Sequence, residues 1–146
     1  VYLPAFDDAK IVKRLKELKD AFWQVFSKHA NHSYQVGNVC VTPVSNEAFI
    51  HSMTSCSGVL CGAGFETPAE ALFLRKKVIV IPMKNQYEQH CNAAALKALG
   101  VPVLKNFKKK QIPIIEKWLE EEEVVDVNYP DITEEVINLV LNQVNE

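Results

Sequence analysis

Short apolar runs alternate with amphipathic stretches of about a dozen residues along most of the chain. Residues 1–5 read as a first strand. Asp7 or Asp8 is placed to cap the helix that follows, with Ile11, Leu15 and Leu18 on one face at helical spacing. Residues 22–26 continue that stripe, yet their aromatic and β-branched content suits a strand. A strand is assigned, because a parallel sheet needs one between the first helix and Asn38. Residues 29–37 form a polar loop, and residues 39–42 a third strand stopped by Pro43. Asn46 opens a short helix whose inner face is Phe49, Ile50 and Met53. A brief strand at 59–61 runs into Gly62-Ala63-Gly64, and a helix covers residues 68–74. Residues 78–81 are the clearest strand, followed by a helix at 88–99 and a last strand at 101–104. Ile112, Ile115, Trp118 and Leu119 mark a further helix. Asp131 opens a final one with the stripe Ile132, Val136, Val140 and Val144. The alternation predicts an α/β fold, a Rossmann-like doubly wound parallel sheet of about six strands, in one domain over 1–146.

Composition narrows the class. A chain of 146 residues, 48% hydrophobic and 23% charged, is one soluble globular domain with a real core. A net charge of -2 argues against a nucleic-acid binder. The basic run at 108–110 and the acidic run at 120–123 nearly cancel and read as solvated helix-end charges. Cys40, Cys56, Cys61 and Cys91 form no C-x-x-C pair and match no zinc spacing; three of them sit among apolar or small residues. A reducing compartment follows, so a cytoplasmic location is expected. No apolar run approaches the length of a membrane span. The histidines give no metal spacing either, and no metal or other cofactor is expected. The abrupt opening on Val-Tyr-Leu-Pro-Ala-Phe raises the expectation of a piece of something larger, by trimming or by processing.

In an open parallel sheet, ligands bind at the carboxyl ends of strands near the point where strand order reverses. One strand-to-helix turn stands out there: Cys61-Gly-Ala-Gly-Phe-Glu-Thr-Pro-Ala-Glu70. Its glycines permit close backbone approach and unusual dihedrals. Thr67 is a good N-cap, Pro68 suits the first helical position, and Glu70 completes a Thr-x-x-Glu box. Unpaired N–H groups at such a helix start make an anion site that fits a diphosphate. Glycine-rich capped turns also occur in α/β domains that bind nothing there, so this turn alone leaves both readings open. The stretch Met83 to Ala93 follows the clearest strand and includes Asn85, Gln86, Glu88, Gln89 and Asn92. Such groups suit neutral hydroxyls, as on a sugar, better than a phosphate; alone, an ordinary polar loop explains it as well. Side by side at consecutive strand ends, the two loops reinforce each other.

Together the loops resemble the donor-binding domain of GT-B glycosyltransferases. These include the bacterial enzyme that adds GlcNAc to lipid-linked muramyl-pentapeptide, and the UDP-glucuronosyl and plant UDP-glucosyltransferases. The family pattern is roughly G-x-x-[ST]-x-x-E, a strand ending in Pro, then [DEQ]-Q-x-x-N-A. Here it appears as Gly64-Phe-Glu-Thr67-Pro-Ala-Glu70, residues 78–82, and Glu88-Gln89-His-Cys-Asn92-Ala93. The resemblance implies that Gly62, Ala63, Gly64 and Thr67 receive the donor diphosphate, that Glu70 holds the ribose hydroxyls of a uridine nucleotide, and that Glu88 and Gln89 contact the donor sugar. It gives weaker roles to Asn92, bracing the loop, to Gln86, to Val44 near the base, and to His29 on the loop facing an acceptor domain. His32 shares that loop. Many relatives carry a His where Gly62 stands, and plant members an Asn where Glu66 stands, so Glu66 is expected to point away from the diphosphate.

The family transfers sugar without an essential metal, and takes its base and acceptor site mainly from an N-terminal domain. The implied protein is therefore a glycosyltransferase in full length, with no catalytic residue in this chain, which alone binds donor weakly and transfers nothing. Its implied partners are a nucleotide-sugar donor and the acceptor domain, toward which the helix after Asp131 would cross. No nucleic acid is implied, and peripheral association at the inner membrane face is compatible with it. The main alternative is a stand-alone, non-catalytic UDP-sugar-binding subunit that docks on a separate acceptor-binding partner. A nucleotide-binding regulatory domain is a third reading. A UDP-sugar epimerase would need further catalytic acids and another glycine-serine pattern, which the chain lacks.

Overall fold

The computed structural model describes the backbone of residues 1–144 and the side chains of residues 1–142. The first helix, α1 (Asp8–Leu15), starts at Asp7, whose carboxylate accepts the N–H of Lys10 at 2.8 Å. Its buried stripe is Ile11, Val12 and Leu15. The ambiguous stretch after it is a strand, β1 (Trp23–Ser27), as a parallel sheet required.

The polar loop reading is corrected in part: it contains β2 (Tyr34–Val36), antiparallel to β3 (Val39–Pro43). All three β2 residues are exposed, so no apolar alternation marks them. The two are joined through Gly37 and Asn38, and Gly37 has φ 62°, a conformation glycine adopts without strain. Asn38 anchors the hairpin by donating to Leu18 O at 2.7 Å and Ala21 O at 2.8 Å. Next come α2 (Asn46–Ser55), β4 (Gly58–Gly62), α3 (Glu66–Phe73), β5 (Lys77–Ile81) and α4 (Tyr87–Ala98). After a 3-10 turn at Lys109–Gln111 follow α5 (Ile112–Glu120) and α6 (Thr133–Val144).

The strands form two ladders rather than one all-parallel sheet of six. β1 and β3 pair in parallel with β2 on the far edge of β3, and β4 pairs in parallel with β5. The expected first and last strands shrink to single bridges, Tyr2 to Cys61 and Val80 to Val103. Prolines account for both. Pro4 has no N–H to continue the first, and Pro102 offers Val80 a carbonyl but no donor of its own. The bridges still matter. Phe26 N donates to Val1 O at 2.9 Å, Tyr2 N to Leu60 O at 2.9 Å, and Gly62 N to Tyr2 O at 3.2 Å, so residues 1–2 tie β1 to β4.

Alternate side chains of the same strands serve two cores, because a strand projects its residues to opposite faces. Leu60, Ile79 and Ile81 pack with Ile11 and Leu15 of α1 and with Ile115 and Trp118 of α5. Val59, Cys61, Val78 and Val80 pack with Met53 of α2, Ala71 and Leu72 of α3, and Ala93 and Leu96 of α4. Strands buried on both faces read as continuous apolar runs, which is why β4 and β5 were legible. On α2, Phe49 packs edge-on against Tyr2 and Phe26 at 5.5 and 5.1 Å, and Met53 is buried. Ile50, expected beside them, is 58% exposed. The inner face runs through Phe49, Met53 and half-buried Cys56 and leaves Ile50 on the flank.

At the start of α6, Asp131 accepts from the Thr133 hydroxyl and N–H at 2.6 and 3.1 Å, which hold its carboxyl below the usual range. Ile132, Val136 and Val140 are exposed along this helix, and the Val144 side chain lies outside the described ones. No helix among the described residues is long and apolar enough to cross a membrane.

The cysteines divide by burial: Cys61 is buried and Cys91 exposed. Burial pushes the Cys61 thiol up to about 12, a shift the amino group of Val1 partly offsets. A thiol reagent at neutral pH is therefore expected to label Cys91 promptly and Cys61 only after unfolding; equal rates would contradict the packing. Because the folded pKa is the higher one, Cys61's contribution to stability is full below the unfolded thiol value and is lost as pH climbs toward 12. Cys61→Ala should accordingly flatten the alkaline limb of the stability profile.

Candidate functional site

Parallel pairing sets the geometry. Gly62 at the end of β4 lies opposite Ile81 at the end of β5, so the turns leaving both strands emerge side by side. The first covers residues 63–65 and enters α3. The second covers residues 82–86 and enters α4, with Asn85 at φ 69°. Neither Gly62 nor Gly64 has a positive φ, so the expected unusual dihedrals are absent. Neither position is crowded. A Cβ at Gly64 would meet nothing within 4 Å, and one at Gly62 would stand 3.8 Å from Gln89 Oε1.

Two side chains of α4 stitch the turns together. Asn92 Nδ2 donates to Ala63 O at 3.2 Å and to Glu88 Oε1 at 2.7 Å. Gln89 Oε1 accepts the N–H of Met83 at 2.9 Å, which leaves its NH2 group as the end that can meet a ligand. Gln86 takes the N-cap position of α4 without a side-chain bond there. Tyr87, in the first helical turn, is exposed, and its hydrogen bond with Cys91 raises the phenol above its ordinary value.

The start of α3 departs from the expected capping box. The helix begins at Glu66 with Phe65 at the N-cap, and no side chain caps it. Thr67 is thus inside the first turn, half-buried, and Pro68 sits at the third helical position. Proline did not fix the boundary, because it is tolerated anywhere in a first turn, where its missing N–H would lack a partner anyway. The N–H groups of Glu66 and Thr67 have no acceptor within the helix. The N–H of Gly62 is already committed to Tyr2, which removes it as a ligand donor. The Glu70 carboxylate is exposed and has no hydrogen-bond or ion-pair partner among the described residues.

Gly64, Glu70 and Asn92 line one groove of about 980 Å³, whose other walls include Phe65, Leu72, Phe73, Leu96, Leu99 and Tyr129. Thr67, Glu88, Gln89 and Gln86 are not in its lining; Glu88 is tied to it through Asn92. His29 and Val44 meet elsewhere, both at Ser27, where β1 and β3 end: His29 N donates to Ser27 Oγ at 2.9 Å and Val44 N to Ser27 O at 3.1 Å. Ser27 itself was not anticipated. It is buried, its hydroxyl donates to Asp8 Oδ2 at 2.7 Å, and it ties the start of α1 to the loop after β1. A lone serine closing an apolar strand was its one sequence signal. The apolar walls of the groove were missed too, since the residues come from separate elements. No cluster of His, Cys, Asp and Glu suited to a metal ion occurs among the described residues.

The profile of the family described as glycosyl transferase family 1 matches residues 1–121. No curated protein gave a significant match.

Proposed function

Because the chain belongs to glycosyl transferase family 1, we propose that it is the donor-binding part of a glycosyltransferase and takes a uridine diphosphate sugar at the paired turns. The observation that carries the reading is the uncapped start of α3, with the partnerless Glu70 carboxylate one turn on. Free N–H groups at a helix start favour a diphosphate. A free carboxylate accepts from ribose hydroxyls, as one does in dinucleotide folds. Gly64 gives the diphosphate close backbone approach, Thr67 a hydroxyl, and Glu88 and Gln89 face the sugar; Ala63, expected beside Gly64, is fully buried in the core and offers a ligand no surface. Val44 is left to the base, and Gln86 and His29 to the rim.

Strand order supports the same location. Taken through the two bridges, the segments run 39–43, 23–27, 1–2, 58–62, 77–81 and 102–104, each bonded to the next. In chain order that follows 3-2-1-4-5-6, the order of a doubly wound sheet, which supports the reading although residues 1–2 and 102–104 join by single bridges. Its reversal falls between residues 1–2 and β4, beside Gly62. Ligands bind in that crevice in such sheets.

In this account the α3 start stabilises charge on the departing diphosphate as preorganised electrostatics, and no metal is required of it. The acceptor and the base for its hydroxyl are assigned to a partner domain. The test is a titration of the chain with UDP, ADP and GDP, followed by UDP-sugars. UDP is expected to bind about tenfold or more tightly than either purine nucleotide. Equal affinity for all three would reduce the site to a general anion site, and no binding at millimolar UDP would overturn the reading.

A further inference from the structure

We propose that Asn92 is a positioning residue of the sugar subsite: it holds the Glu88 carboxylate with one oxygen occupied and the other open to a ligand hydroxyl, at a fixed offset from the diphosphate turn. The proposal rests on the reading of Glu88 as a sugar contact.

The chemistry of the partners fixes the orientation of the amide. Ala63 O and a Glu88 carboxylate oxygen are both acceptors, so the Asn92 atom between them is the NH2 group; its Oδ1 there would face two oxygens. Both Nδ2 hydrogens are then engaged, one with the β4–α3 turn and one with the first turn of α4. At 2.7 Å the bond to Glu88 is short, as expected when the acceptor is charged. Glu88 Oε1 is thereby taken, and Oε2 has no partner among the described residues. An ionised carboxylate oxygen only accepts, so what it takes is a donor such as a hydroxyl.

The second consequence concerns distance. Without Asn92, Glu88 is an exposed side chain on α4 with several rotamers open to it. With Asn92 in place, its carboxylate and the backbone at Ala63 are held by one planar amide. A ligand with its diphosphate at the start of α3 then presents its hydroxyl-bearing ring to the Glu88 carboxylate at a preset spacing; a ligand with the diphosphate alone does not use the link. Through Glu88, Asn92 therefore acts on discrimination among sugars.

The test titrates the wild type, Asn92→Asp and Asn92→Ala with UDP and with UDP-glucose, UDP-galactose and UDP-N-acetylglucosamine. Asn92→Asp keeps the shape of the side chain but sets a carboxylate against Glu88 and Ala63 O. At pH 8 the spread of affinities across the sugars, each taken relative to the same variant's UDP affinity, is expected to shrink about tenfold in both variants. Near pH 5 a proton shared by the two carboxylates restores a hydrogen bond, and the spread should recover in Asn92→Asp but not in Asn92→Ala. An unchanged spread, or equal behaviour of the two variants with pH, would overturn the proposal. A wild type that binds UDP yet treats all three sugars alike would overturn the sugar-subsite reading, and this proposal with it.

Discussion

Gly58→Ala is expected to destabilise the fold by about 2 kcal/mol, although alanine is the smallest change available there. A Cβ at this position would stand 2.8 and 2.9 Å from Cζ2 and Cη2 of Trp118, and 3.2 Å from the backbone oxygen of Lys77. The first two distances are shorter than carbon atoms tolerate, so something must move. The indole has little room to do so. Trp118 is 4% exposed in the core that joins α1 and α5 to the strands. The Lys77 ammonium lies 5.4 Å from the ring centroid and donates to the carbonyls of Trp118, Leu119 and Glu121 at 3.2, 3.0 and 2.8 Å. Those bonds satisfy carbonyls at the end of α5 that have no partner within the helix, and pin its last turn over β5.

Gly58 does not have a positive φ, so the penalty is steric and not conformational. In thermal unfolding it should appear as a midpoint roughly 4–8 °C lower. In a Trp118→Phe background, where the outer ring is gone, the same substitution should cost much less, and the double-mutant cycle isolates the contact. A Gly58→Ala protein as stable as wild type would mean that the indole is freer than its packing indicates.

The Gly58 contact was invisible in the sequence because it joins residues sixty positions apart, and pattern reading sees only neighbours along the chain. The same limit explains Lys77, which reads as a charge ahead of an apolar strand and in fact caps α5. What was legible had local causes. Ile112, Ile115 and Trp118 declare α5 by their spacing, and Asp7 declares the start of α1 by its side-chain chemistry. Where two local signals coincided, one was misread. Thr67-Pro68-Ala69-Glu70 has the form of a capping box, but helical backbone at Phe65 starts α3 earlier. β2 gave a weak signal in the Gly37-Asn38 pair between two valines, which is hairpin chemistry, and its exposed residues hid the rest. The turns of the candidate site were found as sequence, but their connection through Asn92 and Gln89 is a property of the parallel register of β4 and β5.

Misreading the box also changed the chemistry of Glu70. A carboxylate closing a capping box would be occupied by the backbone of its own helix. No such bond forms, and the group is left exposed in the wall of the groove beside Gly64 and Asn92. Its substitution should therefore alter the fold very little and binding a good deal. Hydrogen bonds from ribose hydroxyls to a charged group are each worth about 1.5–3 kcal/mol, or roughly ten- to a hundredfold in affinity.

The most direct test is calorimetric titration of UDP into the wild type, Glu70→Gln and Glu70→Ala, in one buffer without divalent metal, with each variant's thermal midpoint recorded alongside. The account predicts measurable UDP binding by the wild type. It predicts a partial loss for Glu70→Gln and about a thirtyfold loss or more for Glu70→Ala, with midpoints unchanged within about 1 °C. Equal UDP affinity in the wild type and Glu70→Ala would contradict it, and would remove the nucleotide from the start of α3.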